Sequence, residues 1–266
     1  MSSIHHDRFA ARSALVTGAG SATGIGFACA RNLGLSGARV AIVSTTDRIE
    51  QRAAELRALG IDARGYVCDL TDRAQVAALA DALQRDRGRI DLLVNNAGMA
   101  QVGEDEPFTP LAAMAHAEWD RSIERNLGTC FNVTRALVGG MVEAGYGRIV
   151  NISSVTGPLV SNRGESGYSA AKAAMVGMSR ALAMEVARDG VTVNCVAPGW
   201  IDSGNSPEHE RIAALHTPMG RAGTSAEVAD LVAFLASDEA TYITGQLFVI
   251  DGGNLLQENK GPESGA

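Results

Sequence analysis

The sequence predicts an α/β fold: one domain built on a doubly wound parallel sheet of about seven strands, with helices on both faces. Three observations predict it. Short apolar runs alternate with longer amphipathic stretches almost from end to end, as in repeated β-α-β units. The runs are rich in Val, Ile and Leu and nearly continuous in apolarity, which is how strands buried on both faces read. A glycine-rich stretch stands between the first run and the first amphipathic stretch.

The predicted strands are Ala14–Thr17, Val40–Val43, Gly65–Cys68, Leu92–Asn95, Arg148–Ile152, Thr192–Val196 and Gln246–Ile250. Between them the helical period marks Gly24–Leu35, Asp47–Leu59, Arg73–Arg87, Glu118–Val138, Tyr168–Arg188 and Ser225–Ala236. Gly60 follows the second helix as a C-terminal cap would. Asp47 and Thr71 suit N-caps, and Ser225-Ala226-Glu227 opens a helix with an acid in its first turn. Residues 1–11 and 256–266 are expected to be loose tails of the single 1–266 domain.

The chain has 266 residues, enough to bury a core without disulfides or metals. Its formal charge of −7 lacks the basic footprint of a nucleic-acid binder. Cys29, Cys68, Cys130 and Cys195 are far apart among apolar neighbours, which reads as four buried thiols and no metal site. The adjacent pair His5 and His6 is a weak metal signal. No apolar run is long enough to span a bilayer and no leader is visible, so the cytoplasm is the expected location, with no membrane partner.

The first strand runs into Thr17-Gly18-Ala19-Gly20-Ser21-Ala22-Thr23-Gly24-Ile25-Gly26 and then a helix. Glycines let the backbone turn sharply and approach a ligand, and the helix start offers unpaired N–H groups to a pyrophosphate. After a buried strand and before a helix, this is the signature of a Rossmann-type dinucleotide site. An acid at the end of the second strand would grip the ribose hydroxyls of NAD. Here the strand ends in Ser44-Thr45-Thr46, with Asp47 and then Arg48. Hydroxyls and a guanidinium suit a 2′-phosphate, so NADP(H) is favoured over NAD(H). Thr46 or Asp47 capping a helix is compatible with that role.

Further motifs follow in order: Cys68-Asp69-Leu70, Asn95-Asn96-Ala97-Gly98, Asn126, Ser153-Ser154, Tyr168-Ser169-Ala170-Ala171-Lys172 and Pro198-Gly199-Trp200-Ile201. With the glycine turn, they resemble the short-chain dehydrogenase/reductase family over nearly the whole chain. The resemblance implies a catalytic group of Asn126, Ser154, Tyr168 and Lys172. It implies that Gly18, Ser21, Gly24 and Ile25 line the cofactor phosphates and ribose, with Asp69 and Leu70 at the adenine. Asn96, Ala97 and Gly98 would form the floor beneath the ribose, and Tyr168 and Lys172 would also meet the cofactor. Pro198 and Gly199 belong to the same wall, with Ile201 and Ser203 at the nicotinamide carboxamide. Two departures stand out. Five residues separate Gly18 from Gly24 where the family usually has three, and the Ser154-to-Tyr168 spacing is about one residue longer than the family's, the slack falling in the loop Gly157–Gly167.

Tyr168 and Lys172 are four apart, so on a helix they share a face with Cβ atoms about 5–6 Å apart. A free phenol holds its proton to about pH 10. An ammonium beside it favours the phenolate. Ser154 would hydrogen-bond the substrate oxygen. Asn126 would hold Lys172 through a water.

The reading is therefore a carbonyl reductase or alcohol dehydrogenase interconverting a small ketone and a secondary alcohol. Met99–Glu118, with its acidic run Glu104-Asp105-Glu106 and its prolines, and the polar Gly204–Thr217 segment, a mobile lid in relatives, are expected to shape substrate choice. Met219-Gly220-Arg221-Ala222-Gly223 resembles the 3-oxoacyl reductase branch, whose basic residues at the active-site mouth dock an acidic carrier protein. At two such positions the chain has Gly145 and Asp189, with Arg188 adjacent, which favours a free ketone. The rivals are a 3-oxoacyl carrier-protein reductase and a non-catalytic dinucleotide-binding sensor. The resemblance also implies a homotetramer assembled through the two long helices.

Overall fold

The computed structural model describes residues 7–98, 108–204 and 206–258. Its elements run β1 (Ser13–Thr17), α1 (Ile25–Leu35), β2 (Arg39–Ser44), α2 (Arg48–Ala58), β3 (Ala63–Val67), α3 (Arg73–Arg87) and β4 (Leu92–Asn95). Then come α4 (His116–Ile123), α5 (Thr129–Glu143), β5 (Gly147–Ile152), α6 (Ser166–Val186), β6 (Val191–Pro198), β7 (Ile201–Asp202), α7 (Glu208–Leu215), β8 (Gly223–Thr224), α8 (Ser225–Leu235) and β9 (Leu247–Ile250).

Seven strands form one sheet in the order β3-β2-β1-β4-β5-β6-β9, and every pairing is parallel. The expected doubly wound fold is present. Alternation along each strand feeds two cores. Ala14, Val16, Val40 and Ile42 pack under α1, α2 and α8. Leu15, Ala41, Val43 and Leu93 face the layer of α3, α5 and α6. The strand order reverses between β1 and β4, so the carboxyl ends of these two strands open the crevice where such sheets hold ligands.

All seven predicted strands and all six predicted helices are there, and the differences have local causes. The third strand starts at Ala63 rather than Gly65, because it is the edge strand and alternates buried and exposed residues instead of running apolar. The helix expected over Glu118–Val138 runs on past Gly139 and Gly140 to Glu143, anchored by the fully buried Met141. It is interrupted by a wide π-type turn at Glu124–Gly128. Asp72, not Thr71, caps α3, accepting from the N–H groups of Ala74 and Gln75. Asp47 already has helical backbone angles and makes no capping bond. Thr224 caps α8, one residue before the expected start, in a capping box with Glu227. Gly60, at φ +82°, does end α2 as expected.

Residues 7–11, expected in a loose tail, are docked: Phe9 is buried and Arg8 bonds Ser237 and Glu239. Next to them, Arg12 stacks 3.5 Å over the Tyr146 ring. Residues 1–6 and 259–266, with His5 and His6, lie outside the described residues. The four cysteines are buried and unpaired, and burial pushes the Cys29 and Cys130 thiols up to about 12.

Candidate active site

At the end of β1 the chain enters the glycine turn. Gly18 has φ +69°, and a Cβ there would stand 2.8 Å from the Ala97 Cα. Gly26, on α1, is as crowded, with the Asn96 amide nitrogen 2.6 Å from its would-be Cβ. Only glycine lets these segments meet. Asn96 locks them together, its Nδ2 donating to the carbonyls of Thr17 and Gly18 at 3.1 and 3.0 Å. Asn96 therefore braces the turn, beyond the floor role expected of it. Gly24 is the N-cap of α1 and supplies no side-chain cap. The first N–H groups of the helix are thus left for a ligand, which is the arrangement that holds a pyrophosphate.

Ser44 ends β2 directly beneath the turn: a Cβ on Gly20 would lie 3.1 Å from the Ser44 Cβ and 4.0 Å from an Arg48 guanidinium nitrogen. Arg48 Nε donates to Thr46 Oγ1 at 3.2 Å, and Thr45 and Thr46 are exposed beside it. The hydroxyls and guanidinium predicted to read a 2′-phosphate therefore do gather at one edge of the turn. After β3, the Asp69 carboxylate accepts from the N–H and Oγ1 of Thr71 at 3.0 and 2.8 Å. The Leu70 side chain is buried in the second core, and its carbonyl accepts from Asn132.

The four expected catalytic residues come from three elements. Tyr168 and Lys172 lie on α6, with Lys172 Nζ 5.6 Å from the Tyr168 ring centre. Lys172 is buried, and its Nζ donates to the Ile152 carbonyl at the end of β5 at 3.0 Å. Asn126 is fully buried in the π-type turn between α4 and α5. The wide turn frees a carbonyl, and Asn126 Nδ2 donates to Ser122 O at 3.0 Å. Gly98 brings the two together: a Cβ there would lie 2.9 Å from Asn126 Oδ1 and 3.4 Å from Lys172 Nζ. The two serines after β5 divide their work. Ser153 is buried and its Oγ donates to the Lys172 carbonyl at 3.0 Å, fixing α6 to the sheet. Ser154 is half-buried and its Oγ accepts from Thr156 N at 3.1 Å.

Comparison with known proteins follows this geometry. Residues 18–254 match a family described as enoyl-(acyl carrier protein) reductase. Nodulation protein G of Rhizobium sp. (strain N33) is 43% identical over 248 residues, covering 91% of this chain and 96% of that protein. The 3-oxoacyl-(acyl-carrier-protein) reductase FabG of Escherichia coli (strain K12) is 39% identical over 249 residues, covering 92% and 98%. The chain belongs to the short-chain dehydrogenase/reductases. A crystal structure of a candidate gluconate dehydrogenase from Agrobacterium tumefaciens superposes with a TM-score of 0.85 at 32% identity, over 94% of this chain and 98% of that one. Membership makes the protein an oxidoreductase that uses a nicotinamide dinucleotide, and the uncapped α1 and the glycine cradle fit such a group.

The segment expected to wall the cofactor in this short-chain dehydrogenase/reductase begins at Pro198, the last residue of β6, whose carbonyl accepts from Val155 N at 3.1 Å. Gly199 packs so closely on Asp251 that a Cβ would fall 2.7 Å from the Asp251 Cβ. Ile201 lies in β7, paired with β8, and the Ser203 carbonyl accepts from Thr23. Sequence reasoning missed this small second sheet, helix α7 within the expected lid, and the Thr23 bridge. The helical spacing of Ile212 and Leu215 was the available signal for α7. On it, His209 meets the Phe108 ring edge-on at 6.3 Å. Burial, and to a lesser degree Glu165, raises the Glu210 carboxyl above its usual range, against the pull of His209. Residues 99–107, with the acidic run Glu104-Asp105-Glu106, lie outside the described residues, as does residue 205.

One expectation is corrected. Gly145 and Asp189 do not stand at the mouth of this chain's site. They precede β5 and β6, at the amino edge of a parallel sheet whose catalytic residues follow the carboxyl ends. There Gly190 packs on the Gly145 carbonyl. Their identities therefore say nothing about carrier docking at this chain's own crevice. Among the described residues no His/Cys/Asp/Glu cluster suits a metal, and no helix is long and apolar enough to cross a membrane.

Proposed function

We propose that the protein interconverts a ketone and a secondary alcohol, with Tyr168 as general acid and base, NADP(H) as the preferred cofactor and the cytoplasm as its location. The observation that carries the proposal is the buried Lys172 ammonium standing 5.6 Å from the Tyr168 ring, beside Asn126 and Gly98. When bound, the nicotinamide supplies or accepts the hydride. The chain does the rest. Tyr168 gives its phenolic proton to the carbonyl oxygen in the reductive direction and takes it back in the oxidative one. Lys172 favours the phenolate by its charge. Ile152 O and Ser153 hold Lys172 by its ammonium and its backbone carbonyl. Ser154 steadies the charge developing on the substrate oxygen. Asn126, pinned in its π-type turn, orders the space behind Lys172 through which the proton is replenished.

Preference for NADP(H) rests on Ser44, Thr45, Thr46 and Arg48 gathered at the turn edge, where β2 ends in a hydroxyl residue and the nearest acid, Asp47, lies three positions on at the start of α2. The substrate in this reading is the free small ketone or alcohol expected from the sequence, turned over by a homotetramer, and it no longer draws support from Gly145 and Asp189. A second reading, reduction of a carrier-bound 3-oxoacyl chain, is favoured by the likeness to FabG. Rates for a panel of free ketones, a free 3-oxoacyl thioester and its carrier-bound form, each with NADPH and NADH, decide between them. The proposal expects faster turnover of a free ketone with NADPH. A strong preference for the carrier form would select the second reading, and tighter use of NADH would overturn the cofactor preference.

A further inference from the structure

The glycine turn is two residues longer than the family's usual spacing, and the extra length projects as an exposed turn closed by Gly24 N donating to Ser21 O at 3.3 Å. Thr23, at its end, reaches across the crevice mouth. Its Oγ1 donates to the Ser203 carbonyl. Its own carbonyl accepts from Ser225 Oγ at 2.7 Å, and Ser225 is the buried first residue of α8. The approach is made possible by Gly204: at φ +83° a Cβ there would lie 2.7 Å from Thr23 Oγ1 and 3.0 Å from Thr23 Cβ. The contacts form a closed ring. Ser203 follows β7, β7 pairs with β8 through Asp202 and Thr224, and β8 leads straight into Ser225, which returns to Thr23. Asp202 Oδ1 tightens the ring by accepting from Gly204 N at 2.8 Å.

We infer that Thr23 is a positioning residue that ties the pyrophosphate turn to the 201–204 segment and so sets where the nicotinamide end of the cofactor rests. The inference depends on the dinucleotide reading above and adds a task to the lengthened turn. Without the tie, the turn still cradles phosphate through its backbone and the N-terminus of α1, and β7 still pairs with β8. What is lost is the fixed distance between them, so the nicotinamide half of the ligand feels the change and the adenosine half does not. A single exposed hydrogen bond contributes little to fold stability, so melting should stay within about 3 °C of wild type.

The test uses the full chain with Thr23→Val, which keeps the shape without the hydroxyl, and Thr23→Ser, which keeps the hydroxyl. Calorimetric affinities are measured for NADPH and for 2′-phospho-ADP-ribose, the same molecule without its nicotinamide ring, and for NADH with ADP-ribose as a second pair. Thr23→Val should weaken the full dinucleotide about ten-fold, one hydrogen bond's worth. It should leave the ring-less fragment within two-fold, and Thr23→Ser should bind both like wild type. Equal weakening of dinucleotide and fragment, or of neither, would overturn the inference. Wild type binding neither dinucleotide would instead remove the cofactor reading on which it stands.

Discussion

Replacing Gly98 by alanine puts one methyl group into the space shared by Asn126 and Lys172. The new Cβ would sit 2.9 Å from Asn126 Oδ1 and 3.4 Å from Lys172 Nζ, where ordinary contact begins at 3.4 Å. Asn126 must therefore retreat by 3.4 − 2.9 = 0.5 Å or more. It cannot do so freely, because it is fully buried and its amide is bonded to Ser122 O at 3.0 Å within the π-type turn. A misplacement of about 1 Å costs roughly 100-fold in rate, so half that distance should cost about ten-fold in kcat, or about 1.4 kcal/mol in the barrier. The backbone at Gly98 is not left-handed, so the substitution adds no φ strain of its own. The assay is steady-state turnover of a model ketone at saturating dinucleotide, beside a thermal melt. A kcat within two-fold of wild type, with an unaltered melt, would refute the reasoning that Gly98 is small in order to seat Asn126 and Lys172.

Two further outcomes concern stability. Asn151 is fully buried on β5, donating to Ser179 Oγ at 2.8 Å and accepting from Asn95 Nδ2 at 2.8 Å. Asn151→Leu removes one buried hydrogen bond from each partner, although Asn95 keeps Thr134 and Ser179 keeps Met175, and should cost about 2 kcal/mol in a urea unfolding curve. The Arg221 hydrogen bonds, helped by the capping-box N–H of Thr224, hold the Glu227 carboxyl down at about 2, against an ordinary value of 4.5. A depressed carboxylate stabilises the fold above its unfolded value and loses that contribution as pH falls toward its folded one. The wild-type melting temperature should thus drop more steeply than that of Glu227→Gln between about pH 4.5 and pH 2. Parallel slopes would show that the Arg221 pair contributes nothing.

The fold was legible because its strands are buried on both faces and its helices carry one apolar side, so a period in the sequence maps onto a layer in the structure. The expected site residues had two different sources. The glycine turn and the Tyr168–Lys172 pair could be argued from local spacing, whereas Asn126, Ser154 and most cofactor contacts came only from the resemblance to the family. What escaped was set by distant partners. The π-type turn at Asn126 has no local marker, because it depends on packing of α4 against α6, where Gly167 crowds Ser122. The Thr23 bridge joins residues 180 positions apart. Asn151 reads as a polar break in an apolar strand until Asn95, Cys130 and Ser179 are seen around it. The placement of Gly145 and Asp189 was misjudged because a resemblance supplies residues in sequence order and says nothing about which edge of the sheet they occupy.

The most direct test of the account is Tyr168→Phe, with turnover and dinucleotide affinity measured on the same preparation. Removal of the phenolic hydroxyl should lower kcat by at least about 100-fold, the usual worth of a positioned acid or base, while cofactor affinity stays within a few-fold of wild type. Undiminished turnover in a properly folded variant would contradict the assignment of Tyr168 as the proton donor and acceptor.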